Sequence, residues 1–212
     1  MSPKPWFRKW FGKEYLDLYP HRDVEEAREA VRLLLETTRP PAGARVLDLA
    51  CGAGRHLAEL AGADVRATGL DLSATLLEQA RAASPHTGLV RSDMRKLPFA
   101  DGSFDLVTSF FTSFGYFEDP RDDARVLGES RRVLSDRGHL LLDFLNADKV
   151  RAGLEPYDVR EVNGTRIHQE RRLIEGGTVV QKQIRIEDGA GPGRTFTERV
   201  RLYPPEELQA ML

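Results

Sequence analysis

The chain holds one cysteine, Cys51, among 212 residues. No intrachain disulfide can form, and a reducing, cytoplasmic setting is expected. The five histidines, His21, His56, His86, His139 and His168, are scattered without metal-ligand spacing, so no metal site is expected. No apolar run is long enough to span a bilayer. The formal net charge is only −2, which gives no general attraction to nucleic acid or anionic membrane. Internal repeats and long low-complexity tracts are also missing. The aromatic stretch Trp6-Phe7-Arg8-Lys9-Trp10-Phe11 is broken by charge and no cleavage site follows it, so it does not read as a signal peptide. The remaining composition is that of an ordinary globular chain, 41% hydrophobic and 30% charged. It can bury one good core and an appended subdomain.

Val24, Ala27, Ala30, Val31, Leu34 and Leu35 recur at helical spacing and predict a helix over 24–35. Arg39-Pro40-Pro41-Ala42-Gly43 ends it. Strand and helix patterns then alternate. Strands are expected at about 45–50, 65–71, 88–91, 104–109 and 139–145. Helices are expected at about 55–61, 73–83 with Ser73 as N-cap, and 120–134, the last ending at Ser135-Asp136-Arg137-Gly138. Repeated strand–helix–strand units predict an α/β fold with a doubly wound, mostly parallel sheet. After about Asn146 the pattern changes. Residues 165–174 and 178–186 alternate apolar and polar side chains around Gly176-Gly177, a hairpin signal, and 194–202 alternates again. An antiparallel β insert after strand five is therefore expected.

The most informative segment is Val46-Leu47-Asp48-Leu49-Ala50-Cys51-Gly52-Ala53-Gly54-Arg55. A buried strand runs into a glycine turn and then a helix. Gly52 and Gly54 allow a tight turn and close approach of a ligand. Asp48, an acid just before the glycines, suits a cationic amino-acid cofactor better than a pyrophosphate. Asp71, in Gly69-Leu70-Asp71-Leu72-Ser73, follows at about the usual interval of roughly 20 residues and can accept ribose hydroxyls. Asp93 can accept from an adenine amino group, and Met94 can pack on the ring. The aromatic run Phe110-Phe111-Thr112-Ser113-Phe114-Gly115-Tyr116-Phe117 follows strand four. All these markers lie at carboxyl ends of predicted strands, where ligands bind in such sheets. Cys51 reads as a packing residue and Asp105 as a structural one.

This set of motifs resembles the class I S-adenosylmethionine-dependent methyltransferases across about Ala44 to Phe144. The resemblance implies a Rossmann-like core and S-adenosylmethionine as cofactor. It implies that Asp48, Ala50, Gly52 and Gly54 hold the methionine part, Asp71 and Leu72 the ribose, and Asp93 and Met94 the adenine. Ala50 departs from members that carry glycine there. Phe110, with Tyr15 and Tyr19 from an N-terminal helical lid, is expected on the cofactor. Phe111, Phe114 and Tyr116 are expected against the substrate, with Tyr116 as the candidate base. In architecture the chain resembles small-molecule N-methyltransferases with an inserted antiparallel sheet.

The expected organisation is a lid over 1–40, a cofactor-binding core over 41–146, a substrate-side insert over 147–203 and the start of a core helix over 204–212. The family's strands six and seven have no counterpart here. A chain cut short, or a partner such as a second copy in a homodimer, is the corresponding expectation. The expected partner in the reaction is a small-molecule N or O acceptor, with no membrane and with nucleic acid disfavoured. The alternatives are an RNA methyltransferase, which lacks support because no Asn-Pro-Pro-Tyr-type motif follows strand four, and a non-catalytic methyltransferase-like binding subunit. A nicotinamide-dependent oxidoreductase is a further rival, but Leu57 stands where its third glycine would fall.

Overall fold

The computed structural model describes residues 5–18, 24–187 and 193–212. The chain divides into two compact units. One comprises Met1–Leu18, Gly115–Glu118 and Leu145–Ala210, and the other Tyr19–Phe114, Asp119–Phe144 and Met211–Leu212. The first unit opens the chain with α1 (Trp6–Trp10) and α2 (Lys13–Leu18).

The second unit holds α3 (Val24–Thr38), β1 (Ala44–Leu49), α4 (Arg55–Ala61), β2 (Val65–Asp71), α5 (Ala74–Ala83), β3 (Gly88–Arg91), β4 (Phe104–Ser109), α6 (Pro120–Val133) and β5 (Leu134–Leu142). Its five strands pair in parallel in the order β3-β2-β1-β4-β5. The expected α/β sheet is thus observed, with β1 at its centre and all but one of the β1 side chains buried. Val31 and Leu34 of α3 pack with Val46, Leu60, Leu106 and Phe110 to form a core. Val24, included in the helical stripe, is 57% exposed at the start of α3. Local signals set the helix starts. Ser73 Oγ accepts from Leu76 N at 3.3 Å to cap α5. Asp119 caps α6, Pro120 follows at the first turn, and acids there and arginines in the last turn complement the helix dipole.

Strand five differs from expectation. It begins at Leu134, because Leu134 pairs with Phe104 before the register slips between Phe104 and Leu106. The slip absorbs Ser135-Asp136-Arg137-Gly138 into the strand. Gly138 is needed there, since a Cβ would lie 2.7 Å from Leu134 Cδ2 and 3.2 Å from Asp105 O.

The first unit continues with α7 (Ala147–Gly153), β6 (Tyr157–Val162), β7 (Thr165–Ile174), β8 (Val179–Glu187), β9 (Arg194–Arg201) and α8 (Pro205–Met211). Its strands form an antiparallel sheet in sequence order. Ile167, Ile184 and Ile186 are buried on one face. Ala147, Val180 and Leu202 form a small core joined by Val150 of α7 and by Leu154 just after it. Glu175, Gly176 and Gly177 turn the β7–β8 hairpin with φ of 51°, 66° and 85°. Trp10 is fully buried in this unit, and its indole N–H donates to Glu198 Oε1 at 2.6 Å. Among the described residues no helix is long and apolar enough to cross a membrane.

Candidate functional site

The carboxyl ends of β1 and β2 bring Asp48, Ala50, Gly52, Gly54 and Asp71 together. The turn after β1 is tied to β2, because Cys51 N donates to Leu70 O at 3.0 Å. Ala50, Gly52 and Gly54 have φ of 53°, 57° and 84°. At Ala50 a Cβ carries that conformation at a cost of about 1–3 kcal/mol, so the neighbouring structure enforces it. The two glycines serve different ends. A Cβ on Gly54 would lie 2.9 Å from Ala80 Cβ, so this glycine lets α4 start against α5. A Cβ on Gly52 would meet nothing within 4 Å, so the backbone there is open to an approaching group. Gly69 on β2 makes a second close contact, since a Cβ there would lie 2.7 Å from Leu57 Cδ2 and 2.8 Å from Cys51 Sγ. Burial pushes the Cys51 thiol pKa up, as suits a packing residue.

Asp48 is 1% exposed. Its Oδ1 lies 3.2 Å from Thr108 Oγ1, while Oδ2 is buried with no partner. Burial pushes its pKa up to about 7, the Thr108 hydroxyl opposes this, the Asp71 carboxylate adds to it, and Arg55 opposes it. A buried carboxylate short of one partner suits a cationic ligand. Asp71 is 8% exposed and holds the turn. Gly52 N donates to its Oδ2 at 2.9 Å and Ser73 N to its Oδ1 at 2.8 Å. Burial raises its pKa, and those backbone donors, with Leu72 N, oppose the rise. Two bonds leave a carboxylate with further lone pairs for hydroxyl groups. The donor set therefore fits a ligand that offers a cation and a diol.

Asp93 and Met94 follow β3. Asp93 is engaged by Arg95, with Nε at 3.0 Å from Oδ1 and Nη2 at 2.7 Å from Oδ2. Arg95 also reaches Asp122 at 2.6 Å. Leu72 and Met94 are half-buried. After β4, Phe110 is 4% exposed and stacks on His56 with ring centroids 4.3 Å apart. Phe111 is 38% exposed, with the Arg55 guanidinium 4.5 Å from its ring centre. Arg55 in turn pairs with Glu26 at 2.7 Å. Phe111 and Thr112 both lie in the left-handed region, with φ of 55° and 56°. Asp143 pins them: Phe111 N donates to its Oδ2 at 2.8 Å and Thr112 N to its carbonyl at 3.0 Å. Phe114 is 2% exposed and packs edge-on against Phe144.

Tyr15 and Tyr116 lie in the other unit. Tyr15 contacts Trp10 and Phe11, and Tyr116 contacts Trp6 and Phe11. Tyr19 lies outside the described residues. Sequence reasoning missed Thr108, Arg55, Arg95 and Asp143. Thr108 was visible as a hydroxyl inside an apolar strand. Arg95 was visible only as a neighbour of Asp93, and Arg55 and Asp143 reveal themselves only through contacts distant in the chain. Asp105 accepts from both the backbone and the side chain of Arg45, which hold its carboxyl at about 2. Among the described residues no three His, Cys, Asp or Glu side chains gather as a metal site.

A family model described as a methyltransferase domain matches residues 46–138. A demethylmenaquinone methyltransferase of Thermus thermophilus is 34% identical over 200 residues, covering 90% of this chain and 80% of that protein. The chain belongs to the class I S-adenosylmethionine-dependent methyltransferases. It is also similar to a dTDP-3-amino-3,6-dideoxy-alpha-D-glucopyranose N,N-dimethyltransferase of Streptomyces fradiae, at 28% identity over 93% of this chain and 75% of that one. An amino pentose methyltransferase of Micromonospora echinaspora, solved with S-adenosylmethionine bound, superimposes with a TM-score of 0.72 at 25% identity, covering 94% of this chain and 86% of that one. The chain spans about half the length of other curated relatives, 56% of one and 50% of another.

Proposed function

We propose that this protein transfers a methyl group from S-adenosylmethionine to a small-molecule acceptor, with the nitrogen of an amino sugar as the leading candidate. The observation that carries the cofactor assignment is Asp48, buried with Oδ2 unpartnered beside an open glycine. In this reading Oδ2 receives the ammonium group and the turn from Ala50 to Gly54 holds the methionine chain. Asp71 accepts the ribose hydroxyls beside Leu72, and Asp93 and Met94 frame the adenine. Phe110 backs the site, and Phe111 and Phe114 belong to the segment that meets the acceptor. The cofactor supplies an electrophilic methyl on a positive sulfur, and transfer is an in-line displacement. The chain's task is then mainly positioning, which can supply roughly 7–11 kcal/mol of a barrier in favourable cases. The amino-sugar choice is supported by the Streptomyces fradiae and Micromonospora echinaspora proteins, which align with most of this chain.

Calorimetric titration with S-adenosylmethionine tests the first half. Transfer of a labelled methyl to amino-sugar nucleotides, a demethylated menaquinol and RNA tests the second. No binding would sink the assignment. Methylation of RNA alone would overturn the small-molecule reading.

A further inference from the structure

A narrow cleft of about 10 Å³, open to solvent and held shut by one ion-paired side chain, lies wholly within the unit that holds the antiparallel sheet. Trp6, Tyr116, Phe117, Val179, Arg199 and Arg201 line it. Residues two apart on a strand point the same way, so β9 presents both guanidinium groups on one face. Val179 sits opposite Arg201 on β8 and gives an apolar floor. Tyr116 is fixed beside them, because Trp6 Nε1 donates to its carbonyl at 3.3 Å and Arg201 N donates to Gly115 O at 2.8 Å.

One carboxylate answers both arginines. Glu175 Oε1 accepts from Arg199 Nη2, and Glu175 Oε2 from Arg201 Nη2 at 3.2 Å. Arg201 Nη2 also reaches the Glu118 carbonyl at 3.3 Å, and the Glu118 side chain is exposed at the cleft rim. The pairing leaves donors unmet, since Nε of both arginines is buried without a partner. Such groups are costly to leave unpaired. Glu175 also stands on strained ground, because it holds a left-handed φ of 51° ahead of Gly176 and Gly177. Its side chain is 44% exposed. An ion pair with so exposed a carboxylate is weak, and the two glycines let the turn move.

We propose that Arg199 and Arg201 form a ligand site for a phosphate-class oxyanion, and that Glu175 is an internal placeholder which the ligand displaces. A phosphate group brings more charge and more acceptor oxygens than one carboxylate. Arginine pairs meet such groups with paired, charge-assisted hydrogen bonds. The aromatic wall of Trp6 and Tyr116 adds a surface on which a planar group attached to the phosphate can rest. The inference goes beyond the methyl-transfer reading and does not rest on it.

Calorimetric titration with pyrophosphate, against a sodium chloride control of equal ionic strength, tests it. Wild type should bind, and Glu175→Gln should bind about tenfold tighter, because the competing charge is gone. Arg199→Gln should lose binding, and Arg199→Lys, which keeps the charge but not the fork, should weaken it by about tenfold. Thermal melts confirm that each variant is folded. A nucleoside diphosphate that binds more tightly than pyrophosphate supports the aromatic contact in addition. Equal responses of wild type, Glu175→Gln and Arg199→Lys, or responses no larger than that of the chloride control, would overturn the proposal. S-adenosylmethionine titration of the same samples reports separately on the cofactor site, so either reading can fail without the other.

Discussion

The carboxylate of Asp71 raises the pKa of Asp48, its neighbour at the end of the adjacent parallel strand. Burial is the larger cause, and together they bring Asp48 to about 7. Two acids with different hydrogen-bonding states thus meet at the carboxyl ends of neighbouring strands. Asp71 is tied down by backbone donors, while Asp48 keeps an oxygen in reserve.

The first prediction concerns pH. Asp48 has its folded pKa above its ordinary value of 3.8, so the folded protein holds that proton more tightly than the unfolded chain. The resulting stability is complete below about pH 4 and is lost as pH rises through about 7. Asp48→Asn should flatten this part of the stability profile in thermal melts across that range. A cation at Oδ2 favours the ionised form, so wild-type affinity for S-adenosylmethionine should rise with pH through 7 and that of the variant should not. Matching affinity profiles would remove Asp48 from the site.

The second concerns Asp71. Replacing it with alanine deprives both the turn and the proposed ribose contact of their acceptor. Hydrogen bonds to a charged group are typically worth about 1.5–3 kcal/mol, a loss of roughly ten- to a hundredfold in affinity. Calorimetry that finds wild-type affinity in Asp71→Ala would defeat the ribose assignment.

The third separates two glycines by their surroundings. Gly54→Ala must take a left-handed φ and press on Ala80, so a fall in stability of about 2 kcal/mol or more is expected in denaturant melts. Gly52→Ala pays only the backbone strain of about 1–2 kcal/mol, since nothing of the protein lies within 4 Å of its Cβ. Its larger effect should be on cofactor affinity. Equal stability losses with unchanged binding in Gly52→Ala would contradict an open face at this turn.

The fourth concerns Asp143, which fixes two left-handed residues after β4. Asp143→Ala removes the acceptor for Phe111 N and frees the segment. The expected result is a lower kcat, by about tenfold or more, with cofactor affinity nearly kept. A variant with full turnover would show that this segment does not position the acceptor.

The repeating core was legible because each of its devices is local. Ser73 caps α5, the apolar run of β1 marks a central strand, and Gly176-Gly177 marks the hairpin. The start of β5 was not legible. Ser135 to Gly138 has turn composition, and only pairing with β4, distant in the chain, makes it a strand. Strand β6 was missed because Asp158, Arg160 and Glu161 hide its alternation, and Asp158 finds its partners in Gln169 and Arg171 on the next strand. Asp48, Gly52, Gly54 and Asp71 were picked out by chain spacing as candidates, and the fold gathers them at the carboxyl ends of β1 and β2. Arg55 and Asp143 act across the fold, where single-sequence spacing carries no signal.

Gly69 has a wider consequence. The volume its missing side chain leaves is shared by Cys51, Leu57 and Leu89, one each from the turn, the following helix and the next strand. Those four positions behave as a single fitted joint. A methyl group at 69 presses on the ends of all three side chains, so Gly69→Ala should lower stability, and Leu57→Ala, which removes the nearest of them, should recover part of that loss where a distant change recovers none. The position of the turn after β1 is therefore set from beneath, by an absence on the neighbouring strand, and sequence change in this corner should come in compensating pairs.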